Sequence, residues 1–203
     1  MIVSDAFRGK RYAVLGLARS GLATVRALVA SGADVTAWDS KEEARDSALE
    51  EHRRSREAGS RRDGVAPLSE SGPRLREGDG SLAIADPLTI DLAGFDGIIV
   101  SPGVPINRHP IADAAHAAHV PLLGDIELFA QARAGLPLHK VVGITGTNGK
   151  STTTALIHHI LGSAGIPAML GGNIGLPILG QEPLPQGGVY VLELSRYQID
   201  LTH

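Results

Sequence analysis

Residues 140–152 read Lys140-Val141-Val142-Gly143-Ile144-Thr145-Gly146-Thr147-Asn148-Gly149-Lys150-Ser151-Thr152. The apolar, β-branched run Lys140 to Thr145 predicts a parallel core strand. Downstream, Ala155, Leu156, Ile157, Ile160 and Leu161 recur at helical spacing. They predict a helix over 151–164 with one buried stripe, stopped by Gly165. Strand, glycine loop and helix together make a credible phosphate site. Glycines let main-chain N–H groups curl inward with no Cβ in the way, and the helix start adds unpaired N–H groups. Lys150 supplies a full charge for the β and γ phosphates of a triphosphate, and Ser151 or Thr152 a hydroxyl for Mg²⁺. The nucleotide-binding candidates are Gly146, Thr147, Asn148, Gly149, Lys150, Ser151 and Thr152. The strict phosphate-loop pattern fails by one position: Ile144 stands six residues before the lysine, and Gly143 one place earlier. The bland alternative is a glycine-rich turn carrying a surface lysine.

Working outward, the next strand is Val189 to Leu194. Glu193 lies near its C-terminal end, where carboxylates of a parallel sheet face the ligand crevice. Its alternative is a solvated strand-end charge. At the other end of the chain, 11–16 predicts a buried strand and 20–31 a helix, with Ser20 as N-cap and Gly32 as stop. Residues 34–38 predict a second strand ending at Asp39. This is a βαβ unit, the start of a doubly wound sheet. The turn Gly16-Leu17-Ala18-Arg19-Ser20-Gly21 lacks the middle glycine of a dinucleotide fingerprint, so a dehydrogenase is disfavoured. Further strands are expected at 97–101 and, as a short edge, 120–123. Helices are expected at 110–118 and 125–133. Gly135–His139 is the expected boundary between two units.

Composition narrows the class. The chain has 203 residues, 43% of them apolar, and 25 glycines, which suits an α/β protein with many tight turns. A net charge of −3 gives no argument for nucleic acid or an acidic membrane as partner. With no cysteine, disulfides and thiolate metal sites are excluded. Neither a signal peptide nor a membrane-spanning run is evident, so a cytoplasmic protein is expected. Residues 41–80 hold interleaved acids and bases, and 55–81 has few apolar residues. That stretch predicts a mobile polar insertion, about 52–81. The pairs His158/His159 and His116/His119 find no carboxylate to complete a zinc set.

Several segments resemble one family. Gly143–Thr152 resembles the ATP loop of the Mur ligases, which carries the same shifted glycines. Gly124-Asp125-Ile126-Glu127-Leu128-Phe129, Gly171-Gly172-Asn173-Ile174-Gly175 and Glu193-Leu194-Ser195-Arg196-Tyr197-Gln198 fit as well. So do residues 16–21 and Ser101-Pro102-Gly103-Val104-Pro105. The resemblance implies a Rossmann-like N-terminal domain (1–136) binding a UDP-linked substrate, followed by a P-loop-type α/β ATPase domain (137–203), incomplete. It implies ATP and Mg²⁺ as cofactors, UDP-N-acetylmuramoyl-L-alanine and D-glutamate as substrates, an acyl-phosphate intermediate, and a monomer.

By the same resemblance Lys150 and Glu193 are catalytic, and Ser151 and Glu193 hold the metal. Leu17, Ala18, Arg19, Ser20, Asp39, Ser40, Gly103, Asn173, Ser195 and Gln198 would bind substrate. Asp39 and Ser40 have an alternative as helix N-caps, and Asn173 as a left-handed turn residue. The family usually reads Glu-Leu-Ser-Ser-Phe-Gln, so Arg196 and Tyr197 depart from it, the arginine setting a bulky charge beside the substrate site. A C-terminal domain and later metal ligands of the family lie beyond His203, and no ligase activity is expected of this chain alone. Other members of the family, a folylpolyglutamate-type ligase, or a non-catalytic UDP-nucleotide-binding module are the competing readings.

Overall fold

The computed structural model describes residues 1–62 and 80–202. Two wholly parallel sheets carry the fold. The first comprises β1 (Arg11–Leu15), β2 (Asp34–Trp38), β3 (Ser81–Ile84), β4 (Gly97–Val100) and β5 (Leu122–Leu123), in the order β3-β2-β1-β4-β5. The order reverses direction at β1, which is a doubly wound switch point. Helix α1 (Arg19–Ala30) crosses from β1 to β2, with Leu28, Ala27 and Val25 buried. It starts one residue earlier than expected, so Ala18 rather than Ser20 is the cap, and the helix start has no side-chain cap. Gly32, just past its end, takes the left-handed conformation.

The acid-and-base run after β2 is not wholly a loop. Helix α2 (Glu42–Arg62) extends into the stretch expected to be mobile. Pairs at helical spacing, Arg54–Glu50 and Arg53–Glu57, lace its exposed face. Ala48 is its buried contact, and Arg26 of α1 pairs with Glu51. A stripe this small is easily missed by hydrophobic periodicity. Residues 63–79 of the expected insertion lie outside the described residues, and its last residue, Ser81, opens β3.

After α3 (Ile111–Ala118), β5 and α4 (Asp125–Ala132), the chain enters the second sheet. It holds β6 (Lys140–Ile144), β7 (Ala168–Gly172) and β8 (Val189–Glu193), in the order β6-β8-β7. Helix α5 (Lys150–Ser163) follows β6, and the short α6 (Arg196–Asp200) follows β8. The expected buried stripe on α5 is not buried here: Leu156 is 55% and Ile160 56% exposed, and only Thr154 is buried along the helix. Ile157 and Leu161, from the same stripe, are half-buried. Strand β7 was not anticipated, because Gly171-Gly172 reads as a turn.

The two sheets share one apolar core. Ile178, Leu179, Tyr190 and Leu192 from the second pack with Ile2, Phe7, Leu28 and Phe129 from the first. Phe129 and Tyr190 meet with ring centroids 4.9 Å apart and planes tilted by 60°. No helix among the described residues is long and apolar enough to cross a membrane.

Gly21 has no steric alternative. A Cβ on Gly21 would lie 1.8 Å from the Gly16 carbonyl oxygen, because α1 starts against the turn it leaves. Gly21→Ala is expected to destabilise by about 3 kcal/mol or more in denaturant titration. Gly162→Ala, on exposed α5 with open space around it, should stabilise by roughly 0.5–1 kcal/mol.

Candidate functional site

The phosphate-loop candidates gather where β6 leaves the sheet. Gly146 and Gly149 both take positive φ, at 142° and 78°, conformations that disfavour a side chain. No Cβ contact blocks either position, so the concave side of the loop is open backbone. Gly149 caps α5 and leaves its first amides unpaired by any side chain. Lys150 folds back over the loop, its Nζ donating to the Gly146 carbonyl at 2.7 Å. The ammonium and the helix start therefore converge on one concavity, as anion binding requires.

Glu193 faces this loop. β8 sits between β6 and β7, and its register pairs Glu193 with Ile144 on one side and Gly172 on the other. Gly172 has to be a glycine: a Cβ there would lie 2.2 Å from the Glu193 carbonyl oxygen. The next residue, Asn173, grips Glu193 twice. Its backbone N–H donates to the Glu193 carbonyl at 2.8 Å, and its Nδ2 to the carboxylate Oε1 at 3.0 Å. Asn173 does not adopt the left-handed backbone weighed for it.

The Glu193 residue is only 2% exposed, and Oε2 is buried with no hydrogen-bond partner. Burial pushes this carboxyl up. The hydroxyl of Ser151, the amide of Asn173 and the charge of Lys150 outweigh that and hold its pKa below the usual value. Ser151 contributes although its hydroxyl does not meet hydrogen-bond geometry at Oε2. An ionised carboxylate with one oxygen fixed and the other unpartnered, beside a hydroxyl, is a hard-oxygen donor set. It fits Mg²⁺, which takes one or two protein oxygens and completes its shell with water and phosphate. Among the described residues no group of three or more His, Asp or Glu forms a metal cluster.

A second group collects at the carboxyl edge of the first sheet. Leu17, Ala18, Arg19 and Ser20 form the turn into α1. Ser101 Oγ donates to the Gly16 carbonyl at 2.7 Å and fixes that turn from below. Asp39 is committed to local structure: Oδ2 accepts from the Leu17 amide at 2.7 Å and Oδ1 from the Lys41 amide at 2.9 Å. It shapes the turn, and its lone pairs toward a ligand are fewer than expected. Ser40 is exposed beside it. Gly103 is exposed in the turn after β4, with open space around it. Arg45, which sequence reasoning passed over, lies 4.3 Å above the Trp38 ring and donates to the Asp39 carbonyl. Arg19 reaches toward the other group, its Nη2 3.4 Å from the Gly175 carbonyl.

Ser195 and Gln198 stand between the two groups and differ from expectation. Ser195 caps α6, and Gln198 completes a capping box with it. Gln198 is 1% exposed; its Oε1 accepts from Ser195, and its Nε2 lies 3.4 Å from Asp125 Oδ1. Its amide is spent holding the chain rather than facing a ligand. Arg196 departs from the family without filling the crevice: its side chain is 96% exposed and lies 3.8 Å from Asp200.

Asp125, which the sequence offered only inside a motif, is 5% exposed. Burial raises its pKa, and hydrogen bonds from Gln198 and from the backbone amides of Ile126 and Asp125 offset this only in part. A carboxyl held above its unfolded value of about 3.9 favours the folded chain at acid pH and costs stability as the pH rises through its folded value. Asp125→Asn removes that cost and keeps an acceptor. It should be more stable than the unsubstituted chain at pH 8, with the difference shrinking toward pH 4, as read by denaturant titration at both.

A parallel strand, a glycine loop at a helix start and a buried strand-end carboxylate define a phosphate-loop α/β protein. Residues 144–203 match the Mur ligase middle domain. The chain is similar to Mur ligases. Over its whole length it is 67% identical to a UDP-N-acetylmuramoylalanine--D-glutamate ligase of Novosphingobium aromaticivorans, covering 39% of that protein. It is 63% identical to the ligase of the same name from Sphingopyxis alaskensis and 54% to that of Zymomonas mobilis, covering 40% and 42% of them. The chain thus spans about two fifths of the length of these relatives.

Proposed function

We propose that this chain carries the nucleotide-sugar-binding and ATP-binding parts of a ligase that joins D-glutamate to UDP-N-acetylmuramoyl-L-alanine. Residues 1–136 take the UDP end of the substrate, and 137–203 begin the ATP-binding unit. The observation that carries the reading is the buried, unpartnered Oε2 of Glu193 opposite the Lys150 loop. The names of the relatives support the substrate pair. The same reading assigns the protein to the cytoplasm as a monomer.

The substrate carboxylate attacks the γ-phosphorus of ATP in line, the bond to ADP breaks, and an acyl phosphate forms. The amine of D-glutamate then attacks the acyl carbon, and phosphate leaves as the amide forms. Such a transfer needs charge and alignment more than an acid–base pair. Gly146 to Gly149 cradle the phosphates with main-chain amides. Lys150 neutralises charge on the γ-phosphoryl group as it moves. Ser151 and Glu193 would hold Mg²⁺, with Thr152 lining the phosphates and Asn173 orienting the carboxylate. Mg²⁺ held there would supply positive charge to offset that of the phosphates. Leu17, Ala18, Arg19 and Ser20 offer a helix start to the pyrophosphate, with Asp39, Ser40 and Gly103 around it. Ser195, at the start of α6, would lie near the bound sugar.

Calorimetry tests the reading. UDP-N-acetylmuramoyl-L-alanine is expected to bind this chain, and a folate to give no heat. Binding of the folate, or of the UDP-sugar with no ATP binding at all, would overturn it in favour of a folate ligase or a non-catalytic module.

A further inference from the structure

The short helix α6 does more than end the strand that bears Glu193. It is clasped to the first sheet at three points. Tyr197 places its hydroxyl 3.2 Å from the Val100 carbonyl and 3.3 Å from the Ser101 carbonyl, at the end of β4. Gln198 reaches Asp125 at the start of α4. Leu201 packs against Gly124. The Tyr197 ring also joins the apolar cluster around β4, with Val100 and Ile111. Burial, and then the charge of Asp125, push the phenol above its usual pKa, so the hydroxyl stays a donor.

The tyrosine contact continues further. Ser101, whose carbonyl accepts from Tyr197, donates its own hydroxyl to the Gly16 carbonyl at 2.7 Å. Its carbonyl also accepts from the Val104 amide at 3.0 Å, which shapes the Pro102–Val104 turn. Gly16 opens the turn into α1. A run of hydrogen bonds thus passes from the Glu193 segment, through Tyr197 and Ser101, to the turn offered to the substrate pyrophosphate. The phenylalanine usual in the family cannot make the first of these bonds, because it lacks the hydroxyl.

The geometry points to Tyr197 as a positioning residue that sets the register between the α1 turn and the Glu193–Lys150 site, and so couples the binding of UDP-linked substrate to that of ATP. The inference rests on the proposed function for the identity of the two ligands. A link of this kind is reciprocal: whichever ligand binds first tightens the other by the same factor.

Tyr197→Phe removes one oxygen and keeps the packed ring. In the unsubstituted chain, saturating UDP-N-acetylmuramoyl-L-alanine is expected to tighten binding of a non-hydrolysable ATP analogue with Mg²⁺ about fivefold or more, the lower range of measured couplings. In Y197F the factor should fall close to one, while each ligand alone keeps its affinity within about twofold. Ser101→Ala breaks the next bond in the run and should lower the factor as well, and the double variant should lose no more than either alone. Equal coupling in Y197F and the unsubstituted chain, or two ligands binding independently in the latter, would overturn the inference. Amide exchange without ligand separates the claims: Y197F should speed exchange at Val104 and Leu17. If the analogue does not bind at all, the proposed function falls, and unchanged exchange at those amides would overturn the clasp by itself.

Discussion

Lys150→Ala is expected to weaken ATP binding by roughly a hundredfold, the loss of charge-assisted hydrogen bonds to phosphate. Folding should be unaffected. Among the described residues the Lys150 side chain hydrogen-bonds only loop carbonyls, those of Gly146 and Thr147, and its charge on Glu193 acts within the site rather than in the core. Calorimetry and a thermal melt on the same preparation separate the two effects. Lys150→Arg keeps the charge, but its planar fork does not reproduce a compact ammonium over the loop, so only part of the affinity should return. Binding that survives Lys150→Ala would mean that the loop is a turn with a surface lysine.

Glu193→Gln should cost the Mg²⁺-dependent part of nucleotide affinity, about tenfold or more. It keeps the side chain's size and the oxygen that accepts from Asn173. It replaces the unpartnered Oε2 by an amide nitrogen, which is no metal ligand. That nitrogen would be a buried donor, so a stability loss of about 1–3 kcal/mol should accompany the change unless the Ser151 hydroxyl accepts from it. Titrating Mg²⁺ at fixed ATP reads the first effect, and denaturant titration the second. Metal dependence equal to that of the unsubstituted chain would remove Glu193 from the site.

The strands that carry the site were legible because they are apolar runs, two of them running into a glycine turn. Lys140–Ile144, Val189–Glu193 and Arg11–Leu15 lie where periodicity puts them. β7 was not legible, since it ends in two glycines, the second of which permits the close approach of Glu193. α2 was not, since its buried face is alanine and the rest is charge. Site residues divide the same way. Lys150 declares itself by what precedes and follows it. Asp39 and Gln198 do not, because their partners, Leu17 and Asp125, are distant in sequence and consume the very atoms a ligand would use. Asn173, read from the sequence as a ligand contact, also orients the carboxylate beside it.

The α5 stripe shows a different limit. Helical spacing identifies Leu156 and Ile160 as one apolar face, but a pattern cannot say which part of a polypeptide covers it. The tyrosine at position 197 is a third case. Against phenylalanine it reads as a mild change, and only the packed fold shows its hydroxyl between two main-chain carbonyls of the other sheet.

Amide hydrogen exchange across residues 145–152, with and without ATP and Mg²⁺, tests the central claim most directly. The amides of Gly146 to Thr152 should slow markedly when nucleotide is added, and those of the far helix α3 should not change. Exchange at the loop that is identical in both conditions, at nucleotide concentrations that saturate binding elsewhere on the chain, would contradict the account.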